Sequence, residues 1–183
     1  AQSKLGVRWD CLTRSNLVSD ELLSSMKQGG CVKIDMGVES GSDRILRDTK
    51  KGLTTEELLA GGRLIKKHRL FLYAFLMVGL PTETEEDLKC STELIGRLLK
   101  QNPQAQISGF HQFTPYPGNP LFDTAVEHGF DPPTNLETWA GFRLESNAEN
   151  LPWIDKRRKS LLDMIYFTVY FIDKKYENFI MRE

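Results

Sequence analysis

Apolar positions along the chain follow two alternating rhythms: short, nearly continuous runs, and longer segments in which they return every three or four residues. The first rhythm suits strands and the second amphipathic helices, so the alternation predicts parallel strands joined by crossover helices. A first strand is expected from Lys4 to Trp9. Ser19 then caps a helix beginning at Asp20, which turns Leu22, Leu23 and Met26 inward and stops at Gly29-Gly30. Cys31 to Val38 reads as the second strand, and Ser42 as the cap of a short helix carrying Ile45 and Leu46 inward. Thr54 and Glu57 have the spacing of a capping box, opening a helix in which Leu58, Leu59, Leu64 and Ile65 recur at helical spacing.

Leu70 to Val78 is apolar almost throughout, the expectation for a parallel strand covered on both faces. After Gly79-Leu80-Pro81-Thr82-Glu83, Thr84 caps a helix whose first turn holds Glu85, Glu86 and Asp87, where the helix dipole favours acids. Leu88, Leu94, Ile95, Leu98 and Leu99 form its inner stripe. Gln106 to Phe113 is the fourth strand, and Pro120 opens a short helix that stops at Gly129. Beyond Asp131-Pro132-Pro133 the pattern loosens into a short helix at Leu136 to Phe142, a loop at Ser146 to Pro152 and a final helix from Asp155 to Met181. The aromatic residues of that helix, Tyr166, Phe167, Tyr170, Phe171, Tyr176 and Phe179, are expected to pack back on the rest of the chain, and Lys156-Arg157-Arg158-Lys159 to form its solvated first turn. Residues 1–130 thus carry the strands of an α/β fold, and residues 131–183 form a C-terminal helical extension.

The chain has 183 residues, 40% hydrophobic and 27% charged, ordinary values for a folded protein with one substantial core. A formal net charge of −1 gives no global attraction for a polyanion, so no nucleic-acid partner is expected. Cys11, Cys31 and Cys90 are too widely spaced for a disulfide framework or a metal knuckle, which points to a reducing, cytoplasmic setting. The apolar stretch Met164 to Ile172 is about half the length that a membrane-spanning helix needs. His68, His111 and His128 lack metal spacing, and His111, on the fourth strand, is expected to fill the interior.

Three strands end in turns rich in glycine, proline and hydroxyls: "GVESGS" at residues 37–42, "GLPTET" at 79–84 and "TPYPGNP" at 114–120. In parallel α/β folds the carboxyl ends of the strands share one side, where ligands bind, so the three turns are expected to converge. In this order and spacing, "GVESGSDRIL" followed by Lys51-Gly52, "MVGLPTETEEDL" from Met77 and "FTPYPGNPLFD" from Phe113 resemble the C-terminal half of the radical S-adenosylmethionine core, in its cobalamin-associated and anaerobic cyclase branch. "GVRWDCLTR" from Gly6 is similar to the strand that precedes them there.

The resemblance implies the C-terminal part of a partial (β/α)6 barrel. S-adenosylmethionine would lie across the strand ends and be cleaved at a four-iron four-sulfur cluster, which starts radical chemistry on a small-molecule substrate. Carried onto this sequence, it places Glu39, with Ser40 beside it, at the cofactor's ribose or amino group, and Lys51 at the methionine carboxylate. Gly79 and Pro81 match a backbone contact, and Phe113, Thr114 and Tyr116 would lie near the adenine or the substrate. A carboxylate fixed on a strand-end turn is a suitable acceptor for an ammonium group or ribose hydroxyls.

The sequence departs from the family in lacking three closely spaced cysteines, which would occupy three irons and leave the fourth open. The expectation is that this triplet lies upstream of Ala1, that the fragment is inactive alone, and that any cobalamin dependence comes from upstream as well. The exposed sheet edge of such a fragment predicts self-association. Two rival readings are a non-catalytic half-barrel that binds a nucleotide-like ligand or another half-barrel, and a tRNA methylthiotransferase-like enzyme; near-neutral charge and the lack of a basic tail count against the second.

Overall fold

A computed structural model describes residues 6–140 and 151–172. Four parallel strands, β1 (Trp9–Thr13), β2 (Cys31–Glu39), β3 (Phe71–Val78) and β4 (Gln106–Gln112), lie in sequence order across one sheet. Helices α1 (Asp20–Gln28), α3 (Thr55–Lys67) and α4 (Glu85–Gln101) form the crossovers, and α2 (Asp43–Asp48) follows directly on β2. Next come α5 (Phe122–Glu127), α6 (Leu136–Ala140) and α7 (Lys156–Ile172). This is the α/β architecture of parallel strands that the periodicity predicts. The caps are those read from the chain: Ser19 accepts from Leu22 N–H, Ser42 from Ile45 N–H, and Thr54 closes a reciprocal box with Glu57.

The first strand sits later than expected, at Trp9–Thr13 instead of Lys4 to Trp9. Its pairing with β2 begins at Trp9 opposite Cys31, while Gly6 has φ of 65°, outside extended geometry. As a sheet edge exposed on one face, with Leu12 71% exposed, β1 lacks the apolar run that marks a strand in the sequence.

β3 also differs from expectation. Leu72, Ala74, Leu76 and Val78 are fully buried beneath the helices, but Phe71, Tyr73, Phe75 and Met77 on the other face are half-buried. The helix-side core continues through Ile34, Met36, Val38, Leu58, Ile65, Leu98, Ile107 and Phe110. Each fully buried Leu or Ile there contributes about 2 kcal/mol. The opposite face is a shallow trough, where Lys33 lies between Asp10 and Asp35, 3.1 Å from each, and 5.2 Å from the Tyr73 ring centre. His111 belongs to this trough. It is exposed, lies 5.8 Å from the Phe75 ring and meets Ser108 at 3.1 Å, and so does not fill an interior.

The C-terminal segment joins both cores: Leu162, with Leu161 and Ile165, packs on the sheet core, and Leu151 on a second cluster around Ile45, Leu80, Phe113 and Phe130. Leu161, Leu162 and Ile165 of α7 make this contact; of the aromatic residues expected to pack inward, Phe167 is 66% exposed, and the side chains of Tyr166, Tyr170, Phe171, Tyr176 and Phe179 lie outside the described ones. The expected reach of α6 to Phe142, the loop at residues 146–150 and the end of the final helix at Met181 lie outside the described residues. Among the described residues, no helix is long and apolar enough to cross a membrane.

Candidate functional site

At the carboxyl end of β2 the chain leaves extended geometry at Glu39, whose φ is 64°. Ser40 N–H donates back to the Val38 carbonyl at 2.9 Å, and the register with β3 shifts between Gly37 and Glu39. A non-glycine residue in this region costs on the order of 1 kcal/mol, which the packed strand beneath it sustains. The turn carries the Glu39 carboxylate over the strand to meet Lys51 Nζ at 2.8 Å. Both side chains stay partly open, at 26% for Glu39 and 16% for Lys51. Gly37 makes room for the pair: a Cβ there would lie 2.6 Å from Glu39 Oε1 and 3.0 Å from Lys51 Nζ. Arg14 holds the neighbouring backbone by donating to the Lys51 carbonyl.

The ion pair forms a shared wall between two cavities. One, of about 450 Å³, is mostly apolar and is lined by Leu12, Leu17 and Phe75 together with Thr13, Arg14 and Gly37. The other, of about 170 Å³, reaches Ile45, Met77, Leu80, Phe113 and Asn119. A carboxylate and an ammonium thus sit side by side between an apolar recess and a narrower one at the strand ends, so a zwitterionic or polyhydroxylated ligand would find an acceptor and a donor together.

The other expected site residues are placed differently. Ser40 is fully buried; its hydroxyl accepts from Ser42 N–H at 3.1 Å and meets Ser91 Oγ at 3.3 Å, facing α4 and not a cavity. Gly41 allows that approach, because a Cβ there would come within 2.2 Å of the Cys90 carbonyl oxygen. Gly79 N–H is taken by Glu83 at 2.8 Å, and Gly79 and Pro81 line neither cavity. Phe113 is buried and lines the narrower cavity, whereas Thr114 and Tyr116 line neither, with Tyr116 39% exposed and 5.9 Å from the Trp139 ring. The structure therefore brings Glu39, Lys51 and Phe113 to one place, and puts Ser40, Gly79, Pro81, Thr114 and Tyr116 around it.

Several residues the sequence reading passed over shape the site. Asp87 joins the first two turns: it accepts from Ser42 Oγ at 2.5 Å, from Thr84 N at 2.8 Å and from Arg44, which also donates to the Thr82 carbonyl at 2.8 Å. Burial opposes its charge, but hydrogen bonds from Arg44, Ser42 and Thr84 outweigh that and bring its pKa down to about 2. The pattern Thr84-x-x-Asp87 signalled half of this role, since Asp87 completes a capping box. A glycine inside a strand, as at Gly37, is a recognised sign of close approach. Arg158 had no local signal: it donates to buried Glu83 at 3.1 Å and is 14% exposed, so the expectation of a solvated basic run fails at this residue, while Lys156 and Arg157 are exposed.

The described residues contain no group of three metal-ligating side chains. Burial pushes the thiols of Cys11, Cys31 and Cys90 up, away from the thiolate a metal requires. The Glu39–Lys51 wall fits S-adenosylmethionine, which carries an ammonium, a carboxylate and ribose hydroxyls; the described cysteines do not fit an iron–sulfur cluster.

Residues 2–95, half of the chain, match the family described as the Radical SAM superfamily. An uncharacterized methyltransferase of Pyrococcus horikoshii is 30% identical over 125 residues, which is 68% of this chain and 26% of that protein. A tRNA-2-methylthio-N(6)-dimethylallyladenosine synthase of Sulfurihydrogenibium is 33% identical over 95 residues, covering 51% of this chain and 21% of that protein. The anaerobic magnesium-protoporphyrin IX monomethyl ester cyclase of Cereibacter sphaeroides is 30% identical over 118 residues, 63% of this chain and 18% of that protein. Among solved structures, the radical S-adenosylmethionine methyltransferase TsrM of Kitasatospora setae shares the fold, with a TM-score of 0.57 at 18% identity over 67% of this chain and 24% of that one. The chain thus spans about a quarter or less of the length of these relatives. With the family match falling on the strand-end turns that build the ion-paired wall, the chain belongs to the radical SAM superfamily.

Proposed function

We propose that this chain forms the cofactor-facing part of a radical S-adenosylmethionine enzyme acting on a small molecule. The observation that carries this reading is Glu39, held at φ of 64° with its carboxylate on Lys51 between two cavities at the strand ends. Backbone strain maintained by a packed scaffold, at a charged residue facing a cavity, supports a positioned ligand contact. In this role Glu39 accepts from the ribose or amino group, Lys51 donates to the carboxylate, and Phe113 supplies an apolar wall. Bound S-adenosylmethionine supplies the radical chemistry; the residues of this chain bind and orient it. The mostly apolar larger cavity beside the pair suits the body of the substrate.

The test is equilibrium binding of S-adenosylmethionine to the full-length protein and its Glu39→Ala variant, with 5′-deoxyadenosine formation measured after anaerobic reconstitution. Loss of at least tenfold in affinity in the variant supports the reading, and unchanged affinity removes Glu39 from the site. A second reading, modification of tRNA, is favoured by the relative that bears that activity in its name. Salt-sensitive binding of tRNA by the full-length protein would favour it over a small-molecule substrate.

A further inference from the structure

The turn at residues 79–83 carries Leu80, which lines the narrower cavity together with Glu39 and Lys51. Its polar groups are engaged from two directions. Glu83, with its side chain fully buried, folds back to accept from Gly79 N–H at 2.8 Å. From the C-terminal segment, Trp153 Nε1 donates to the Gly79 carbonyl at 2.9 Å. One nitrogen of Arg158, Nη2, donates both to the Leu80 carbonyl and to Glu83 Oε2, at 3.1 Å each. Ile154 closes the same spot sterically, since a Cβ on Gly79 would lie 3.3 Å from its Cδ1.

We propose that Trp153 and Arg158 are positioning residues, which set the 79–83 turn, and with it the Leu80 wall, at the shape the cofactor cavity needs. This inference rests on the cofactor reading of that cavity. A turn between a strand and a helix has several conformations close in energy, and fixing the Gly79 and Leu80 carbonyls and the Gly79 amide on Trp153, Arg158 and Glu83 restricts them. The donors come from more than seventy residues further along the chain, so the cavity's shape depends on the docking of the C-terminal segment. Arg158 supplies two of these bonds from a single nitrogen, and Trp153 adds a third through a ring wedged against the turn. Neither lines a cavity with Glu39, so both act through the turn.

The test uses full-length protein with Trp153→Phe, which keeps an aromatic ring and removes the N–H donor, and with Arg158→Lys and Arg158→Met. Amide hydrogen exchange reports the turn directly, and equilibrium binding of S-adenosylmethionine reports the cavity. Exchange at residues 79–83 is expected to rise about tenfold in Trp153→Phe and more in Arg158→Met, with the amides of β3 unchanged. The affinity for S-adenosylmethionine is expected to fall about three- to tenfold in both, with partial rescue in Arg158→Lys. Unchanged exchange of the turn in both Trp153→Phe and Arg158→Met overturns the inference. A looser turn with unchanged affinity, in a protein whose wild type binds S-adenosylmethionine, overturns the positioning role alone. A wild type that binds none overturns the cofactor reading and the positioning role with it, and the exchange data then show only whether the turn is clamped.

Discussion

Two carboxylates one helical turn apart, Glu83 in the turn before α4 and Asp87 inside its first turn, are pushed in opposite directions. Glu83 goes up to about 7, because burial outweighs the Gly79 amide and Arg158 that favour its charge. Asp87 comes down to about 2, because donors from Arg44, Ser42 and Thr84 together outweigh its burial. The difference lies in the number of donors. Both are buried, but four donating groups surround Asp87, whereas Glu83 has one amide and one guanidinium nitrogen at a single oxygen. Burial sets the cost of a charge, and the ring of donors decides whether that cost is met. The local knot at Asp87 ties the first two strand-end turns to each other, while the long-range pair at Glu83 ties the second to the C-terminal segment.

The largest test of this contrast removes Glu83. Above about pH 7, where Glu83 is ionised, Glu83→Ala leaves the mostly buried Arg158 without its carboxylate and is expected to cost about 3–5 kcal/mol in urea unfolding. Next come the pH limbs. Glu83 keeps its proton in the folded state between 4.5 and about 7 and loses it in the unfolded state, so its contribution to stability falls as pH rises through that window. The loss approaches about 3 kcal/mol and is absent in Glu83→Gln. Asp87 behaves oppositely: its contribution is present above 3.8 and is lost as pH falls toward about 2, a change of about 2 kcal/mol that Asp87→Asn abolishes. Unfolding curves of these variants across pH that run parallel to wild type would break the comparison. The smallest effect belongs to Arg157, whose pair with Glu85 at 2.9 Å is largely exposed, so Arg157→Ala is expected to cost less than about 1 kcal/mol.

The legibility of the chain follows the range of the interactions involved. Ser42, Thr54 and Thr84 sit immediately before apolar stripes, and their capping partners lie three residues on, so the starts of three helices were readable. β2 and β3 were readable because a helix-covered strand must be apolar. β1 was misplaced for the converse reason, since an edge strand with Asp10 and Leu12 on an open face carries no such mark. The trough side of β3 was misjudged because an apolar run does not reveal whether a second layer covers it. At the site, Glu39 and Lys51 were picked out individually through the resemblance of their turns, but as contacts to a cofactor and not as each other's partner. Arg158 looked like any solvated lysine- and arginine-rich turn, because its partner stands in a different part of the sequence.

The sequence by itself determined the alternation of strands and helices, the caps that start them and the three turns at the strand ends, because period, capping and turn chemistry act over three or four residues. Only the tertiary structure decided that Glu39 meets Lys51, that Asp87 binds Arg44 and that Arg158 reaches Glu83. Those encounters depend on where the sheet places elements separated along the chain. The burial and the donors that fix each carboxylate's charge exist only once those elements have packed.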